Sequence, residues 1–291
     1  MSYFFIINPN AGKKTTDIER IIGAECALRR IKWEAHFTQD KGHARQLSRR
    51  ALIAGFHNII AVGGDGTIRE VAEPLVGREQ NLGILPCGSG NGLARNLFIP
   101  LDISQALKGI FEWRAREIDV GLADGNPFFC AAGIGLDAEV AKLFNENARR
   151  RGILPYVYFS VKTFINYKPQ VISAHFADGS RLRMKPLVFS VLNGREYGGG
   201  AKIAPNAFLD DGLLNVIFVR KPNLFRSLVA LPDLFNGKFL RHKDIVSEFR
   251  LKSLTIKSSE RFVYHLDGED FKSEGEIRFS VLEKMLRVKA P

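Results

Sequence analysis

A chain of 291 residues has room for one large domain or two of ordinary size. A composition 45% hydrophobic and 25% charged excludes a disordered chain and fits a protein with a true core. The net charge of +11 favours anionic partners (nucleic acid, anionic membrane or phosphorylated ligands) and leaves the choice among them to motifs.

In chain order, residues 3–7 are predicted as a buried strand, short and apolar, stopped by Asn8-Pro9-Asn10. Residues 13–28 are predicted as a helix, with Ile18, Ile21, Ile22 and Leu28 on one stripe. Next come a strand at 33–38, a basic amphipathic helix at 43–54 and a strand at 58–62 that ends at Gly63-Gly64. A helix at 67–75, a strand at 82–85 and a helix opening at 91–97 complete the alternation, which points to an α/β layer with a mainly parallel sheet. From about residue 118 the rhythm changes to short strands and Gly/Asn/Asp turns, at 118–122, 127–131, 172–176, 181–184, 187–192 and 214–219. One long helix is expected from Asp137 through Phe144 to Arg150. The division is therefore an α/β domain over 1–122, completed by a return of the last strands over 276–291, and a β-rich domain over 123–275.

Cys26, Cys87 and Cys130 are scattered, odd in number and without a CxxC pair, which argues against a disulfide framework or a structural zinc site and for a reducing compartment. The start lacks a basic leader and a cleavage site, and no apolar run reaches the ~18–20 residues that span a bilayer. A cytoplasmic protein that meets membrane only peripherally is expected.

Three glycine-containing loops each end a predicted strand. They are Asn8-Pro9-Asn10-Ala11-Gly12, followed by Lys13 and Lys14; Gly63-Gly64-Asp65-Gly66-Thr67, followed by Ile68 and Arg69; and Cys87-Gly88-Ser89-Gly90-Asn91-Gly92. Glycines allow close backbone approach, and helix-start amides cradle phosphate oxygens. At the carboxyl ends of strands in one parallel sheet, the three loops converge on a single crevice. Asp65 would repel phosphate unless Mg²⁺ lies between them or it orients a hydroxyl; the alternative is a tight turn with Asp65 as a cap. Neither GxGxxG nor GxxxxGK[ST] is present, which disfavours Rossmann dehydrogenases and P-loop NTPases.

At these residues the chain resembles the catalytic domain of the diacylglycerol kinase/sphingosine kinase superfamily. Asn8-Pro9 with Gly12 resembles the family's opening NPxxG motif, Gly63 to Thr67 its GGDGT loop, and Leu85 to Asn91 its next loop. Ala132 to Ala138 resembles AGxGxDA, Pro205 to Leu214 resembles P-A-x-x-DDGxL, and Leu266 to Glu269 resembles the late (L/I)DGE motif. GGDGT alone also occurs in NAD kinases; the later motifs, in this order, are what point to lipid kinases. Gly92 and Arg69 depart from the family's usual Asp and Asn or His.

The resemblance implies an N-terminal α/β domain and a C-terminal β-sandwich-like domain, with ATP and Mg²⁺ in the cleft. It implies nucleotide contacts from Asn8, Pro9, Asn10, Ala11, Gly12, Thr38, Gly63, Gly64, Asp65, Gly66, Thr67, Ile68, Arg69 and Ser89. It makes Glu269 the proton acceptor, with Asp267 steering Mg²⁺ beside it, and Asp65 a water-mediated Mg²⁺ ligand or a sharer of the base role. Asp211, with the backbone carbonyls of Phe208 and Leu213, would hold a structural Mg²⁺. From the residues alone, Asp267-Gly268-Glu269 reads first as a hairpin turn, and Asp211-Gly212 reads equally as an Asp-Gly turn with no ion. Arg149, Arg150 and Arg151 read as a solvated face or as a reach toward phosphates, and His36, His43 and His265 show no metal-ligand spacing.

The expected activity is an ATP-dependent lipid kinase acting on a diacylglycerol or sphingoid-base-like lipid at a membrane surface, with no nucleic-acid partner and with homodimerisation open. The alternatives are a soluble-metabolite kinase such as NAD kinase and a non-catalytic nucleotide- or lipid-binding homologue.

Overall fold

The computed structural model describes residues 2–12, 17–136, 138–139, 167–197 and 199–291. The helix expected over 137–150, the Arg149–Arg151 run and Lys13-Lys14 lie outside the described residues, apart from residues 138 and 139, which are helical. The chain divides into two compact units, Met1–Asp119 with Glu283–Pro291, and Val120–Leu282. The C-terminal strand thus belongs partly to the first unit.

The first unit alternates strand and helix: β1 (Ser2–Ile7), α1 (Ile18–Leu28), β2 (Lys32–Phe37), α2 (His43–Ile53), β3 (Asn58–Gly63), α3 (Asp65–Ala72), β4 (Asn81–Pro86), α4 (Gly92–Asn96) and α5 (Ile103–Glu112). The strands form a parallel sheet in the order β2-β1-β3-β4, and the end of β16 (Glu276–Lys289) joins β4 in parallel through Arg287 and Val288. β3 and β4 are buried at every position, as continuous apolar strands covered on both faces are. Helix α1 packs with α5 and α2 with α3, and right-handed crossovers put these pairs on opposite faces of the sheet. Helix α5 was not among the expected elements, although its signal is local: Ile103, Ala106, Leu107 and Ile110 form a buried stripe, and the Asp102 side chain accepts the Gln105 N–H at 3.0 Å.

Helix α2 starts at Gly42 with φ 90° and no acid in its first turn. Glu70 of α3 supplies that charge: Oε1 accepts the Gly42 N–H at 2.8 Å and Oε2 the Ala44 N–H at 3.2 Å. Arg45 grips Glu73 with Nε and Nη2, and the Ser48 hydroxyl donates to the Val71 carbonyl. His36 stacks on Phe4 with ring centroids 4.5 Å apart, a packing role. All three cysteines are buried, and burial pushes the Cys26 thiol up to about 11, so it is inert at neutral pH.

The second unit is built from antiparallel strands. One sheet runs β12 (Val246–Leu251), β11 (Leu214–Arg220), β10 (Pro186–Leu192), β7 (Ala131–Gly135), β14 (Phe262–Leu266), β15 (Glu269–Ser273). The other places the start of β16 beside β13 (Ser253–Lys257), β8 (Ile172–Phe176) and β9 (Arg181–Met184), with β5 (Ala115–Ala123) pairing β16 and β6 (Asn126–Phe128). Phe189, Val191 and Val216 from the first sheet meet Ile256, Ile277 and Phe279 from the second in one core, which makes the unit a sandwich. The expected strand at 127–131 is two strands, because Phe129 and Cys130 form a bend between them. Helix α6 (Leu224–Asn236), which the sequence analysis did not anticipate, follows β11.

Replacing Glu70 with Ala should remove the cap of α2 and leave two amides unpaired, lowering stability by about 1–2 kcal/mol. Urea unfolding of the variant checks this.

Candidate active site

In the first unit the sheet order reverses between β1 and β3, and the loops after these two strands and after β4 lie together there. The backbone carries each ladder past its strand end: Asn8 N–H donates to Val62, Thr38 N–H to Ile7 and Cys87 N–H to Gly63, each at 2.8–2.9 Å. Asn8 Oδ1 accepts the Asn10 N–H, and Asn8 Nδ2 donates to the Thr67 hydroxyl at 2.9 Å, tying the first loop to the start of α3. A Cβ on Gly12, whose φ is +72°, would lie 2.5 Å from the Cys87 carbonyl oxygen, and one on Gly88 would lie 2.6 Å from the Gly64 Cα. The backbones therefore touch where glycine alone permits it.

Asp65 joins the second loop to the third. Its Oδ1 accepts the Gly92 N–H at 2.6 Å and its Oδ2 the Asn91 N–H at 2.9 Å. It is a cap, as one sequence reading had it, but of α4 rather than of its own helix, which starts from Gly64. Asn91, at φ 54°, clasps Gly88 with both side-chain atoms, so it braces the loop. At this cradle Pro9, Asn10, Gly12, Gly66 and Ser89 are exposed, whereas Ala11, Thr38, Gly63, Thr67, Ile68 and Arg69 are buried and Gly64 is intermediate. Exposed Gly66 and the amide end of α3 suit phosphate oxygens.

In the second unit, Asp267 and Gly268 have φ of 49° and 88° and link β14 to β15 as a two-residue hairpin turn. The Asp267 carboxylate accepts three backbone N–H groups: Phe129 on Oδ2 at 2.8 Å, and Cys130 and Ala131 on Oδ1 at 2.8 and 3.0 Å. This pins the turn to the bend before β7. The turn reading is correct here, and the side chain's hydrogen bonds belong to the fold; Glu269 follows as the first, half-buried residue of β15.

Asp211 was expected to hold a structural Mg²⁺ with Phe208 and Leu213. In the structure its Oδ1 accepts the Leu213 N–H at 3.0 Å and its Oδ2 the Arg250 guanidinium at 2.5 Å, while Gly212 turns at φ 71°. A guanidinium already neutralises the carboxylate and would repel a dication, so this arrangement does not fit Mg²⁺. Arg250 lies 39 positions away in sequence, on a strand that only tertiary pairing brings here.

Asn193, Tyr197 and His265, for which no role was expected, gather at the same end of this sheet. Asn193 donates through Nδ2 to the Phe129 carbonyl, the Tyr197 hydroxyl pairs with Ser190, and the Tyr197 and His265 rings lie 5.8 Å apart. His265 Nδ1 receives the Gly268 N–H at 3.4 Å, a long contact. Buried polar groups at a strand end are a usable signal only once the pairing is known.

Comparison with known proteins matches this two-part build. The model for the diacylglycerol kinase catalytic domain covers residues 2–123, and that for the YegS C-terminal NAD kinase beta sandwich-like domain covers residues 130–290. The chain is thus a kinase of the diacylglycerol kinase catalytic type. A relative from Pseudomonas aeruginosa (strain UCBPP-PA14), named "Probable lipid kinase YegS-like", is 34% identical over 283 residues, covering 94% of this chain and 87% of that one. One of the same name from Pseudomonas syringae pv. tomato is 30% identical over 295 residues, covering 96% and 91%. A solved diacylglycerol kinase from Bacillus anthracis str. Sterne matches in fold, with a TM-score of 0.78 at 21% identity over 100% of this chain and 97% of that one. This chain belongs to the YegS-like lipid kinase family.

Two outcomes test the geometry. Asp267→Asn should cost about 1–3 kcal/mol of stability, since its amide would face the Phe129 N–H with a donor, and should leave ATP affinity unchanged. Without nucleotide, adding Mg²⁺ or EDTA should move the unfolding midpoint by less than about 1 °C, because Arg250 already takes up the charge of Asp211; a thermal scan checks it.

Proposed function

We propose that the protein transfers the γ-phosphoryl group of ATP to a hydroxyl of a membrane lipid of the diacylglycerol or sphingoid-base kind, working peripherally at a membrane surface. The observation that carries the nucleotide half is the interlocked cradle of three loops at the switch point of a parallel sheet. Family membership supports the lipid half and favours it over an NAD kinase-like activity on a soluble metabolite.

In this reading the exposed loop backbone at Asn10, Gly66 and Ser89 holds the phosphates, with the amide end of α3 facing their charge. Mg²⁺ would offset the charge on the phosphoryl oxygens. Asp65, which ties the second loop to the third beside the exposed cradle, is the residue that would hold that ion through water. The lipid oxygen bonds to the γ-phosphorus while the bond to the β–γ bridging oxygen breaks and ADP leaves. Glu269 takes the hydroxyl proton, since a lipid hydroxyl is a poor nucleophile at neutral pH. Asp267 serves by fixing the turn before Glu269 through its three amide bonds, which replaces the metal-steering role expected of it.

Incubation with labelled ATP and a panel of diacylglycerol, monoacylglycerol, sphingoid-base and undecaprenol-type lipids names the substrate. Failure to bind any nucleoside triphosphate in calorimetry would sink the reading, and binding without transfer to any lipid would favour the non-catalytic homologue. On an accepted lipid, Glu269→Gln should lower kcat by ~10²–10⁴-fold with ATP affinity intact. Asp65→Asn should reduce both kcat and Mg²⁺-dependent nucleotide affinity. Near-normal turnover in Glu269→Gln, with lost turnover and unchanged affinity in Asp65→Asn, would reverse the two assignments.

A further inference from the structure

Helix α6 buries little of what it carries. Ala230 is 3% exposed, but Phe225 is 76%, Val229 47%, Leu231 51% and Phe235 45% exposed. Phe225, Val229 and exposed Pro232 follow the i, i+4, i+7 spacing of one stripe, and Leu231 and Phe235 the i, i+4 spacing of the stripe beside it. These large side chains thus form one apolar face directed at solvent. An interior proline removes a helix hydrogen bond, so this helix is not held by propensity. Its anchors are polar: Asn223 caps the start through the Arg226 N–H, Arg226 pairs with Asp244 at 2.6 and 2.8 Å, and Asp233 pairs with His242 at 3.0 Å.

The flanks carry one sign of charge. Arg220 and Lys221 precede the helix, and Lys238, Arg241 and Lys243 follow it, all exposed. The acids nearby, Asp233 and Asp244, are the two already paired. An apolar face rimmed by cations is the pattern of a helix lying in the interface of an anionic bilayer. A second copy of the chain is a poorer occupant. Pairing α6 with itself, parallel or antiparallel, sets cations against cations at both ends, and like charges across an interface oppose association.

The helix also connects to the groups assigned to chemistry, within the same unit. The Leu234 carbonyl of α6 accepts the Lys202 N–H at 2.9 Å. Lys202 lies in the loop in which Tyr197 N–H donates to Ala201 and Ala204 N–H to Arg195. Tyr197 in turn packs beside His265, whose strand β14 enters the turn leading to Glu269. Helix α6 is thus joined, through that loop, to the strand that precedes the turn before Glu269.

We infer that the exposed face of α6, Phe225, Val229, Leu231 and Phe235 with its basic rim, is the surface by which this protein docks on an anionic lipid bilayer. The inference deepens the proposed lipid-kinase function and rests on it for its purpose, but its test is separate. The probes are sedimenting vesicles of phosphatidylethanolamine with phosphatidylglycerol, and of phosphatidylcholine alone, at low and high salt. The variant is Phe225→Ser, Val229→Ser and Phe235→Ser together, which should stay folded with only a small drop in the unfolding midpoint, because each site is at least 45% exposed. Its partition onto the anionic vesicles should fall at least about tenfold. Turnover on a vesicle-embedded lipid should fall with it, while turnover on a short-chain, water-soluble lipid with the same headgroup stays at the wild-type value. Independently, Phe225→Trp should be quenched by brominated acyl chains more strongly than native Trp33 and Trp113.

Unchanged vesicle binding by the triple variant would overturn the assignment and move docking elsewhere, as would equal wild-type binding to neutral and anionic vesicles. A wild-type dimer that the triple substitution converts to monomer in sedimentation velocity would assign the face to a second copy instead. Docking that needs α6, with no transfer to either the vesicle or the short-chain lipid, would leave the docking surface standing and remove the kinase reading.

Discussion

Two neighbouring amides, Asn91 and Gly92, end on one carboxylate, Asp65, and the nucleotide-type cradle depends on that bridge. It draws the loop after β4 onto the loop after β3, to where Gly64 and Gly88 pass with no space for a Cβ. A carboxylate placed among loops suited to phosphate is otherwise a liability, since like charges repel. Here part of its charge is met by the start of α4, and it orders the two loops by charge-assisted hydrogen bonds, which are shorter and stronger than neutral ones. The same device recurs in α2, where a glutamate from α3 meets the amides at the helix start.

A third carboxylate-to-backbone clamp shapes the second unit. Asp267 takes three amides from the bend before β7 and so sets the turn from which β15 departs. Asp211 answers to Arg250 and to its own turn. Of the acids whose motifs suggested chemistry, Asp211 and Asp267 thus take part in the fold. Asp65 combines structure with a proposed role at the metal, and Glu269 is left as the residue whose proposed function is purely chemical.

Part of the positive charge of the chain is gathered beside α6. Exposed cations bracket α6, whose largest exposed side chains are apolar, and charge and hydrophobicity then act on one surface. Neither suffices alone, because exposed charges are screened within about a Debye length and apolar burial has no preference for anionic lipid. Among the described residues no helix is long and apolar enough to cross a membrane.

Much of the α/β unit was legible in the sequence by itself. Strands such as 58–63 are apolar at nearly every position because both faces are covered, and each ends at glycines that announce a loop. The three loops, their family order and the β-rich character of the second unit follow from local pattern. What the pattern left out is equally local in cause: α5 was overlooked despite a capped stripe. The roles of the acids were decided only by the tertiary structure. Asp65 reaches amides 26 and 27 positions away, Asp211 a guanidinium 39 away and Asp267 amides up to 138 away. A motif specifies which side chain stands at a turn, but the partner that takes up its charge comes from sheet pairing, which depends on long-range register and cannot be read from neighbours in sequence.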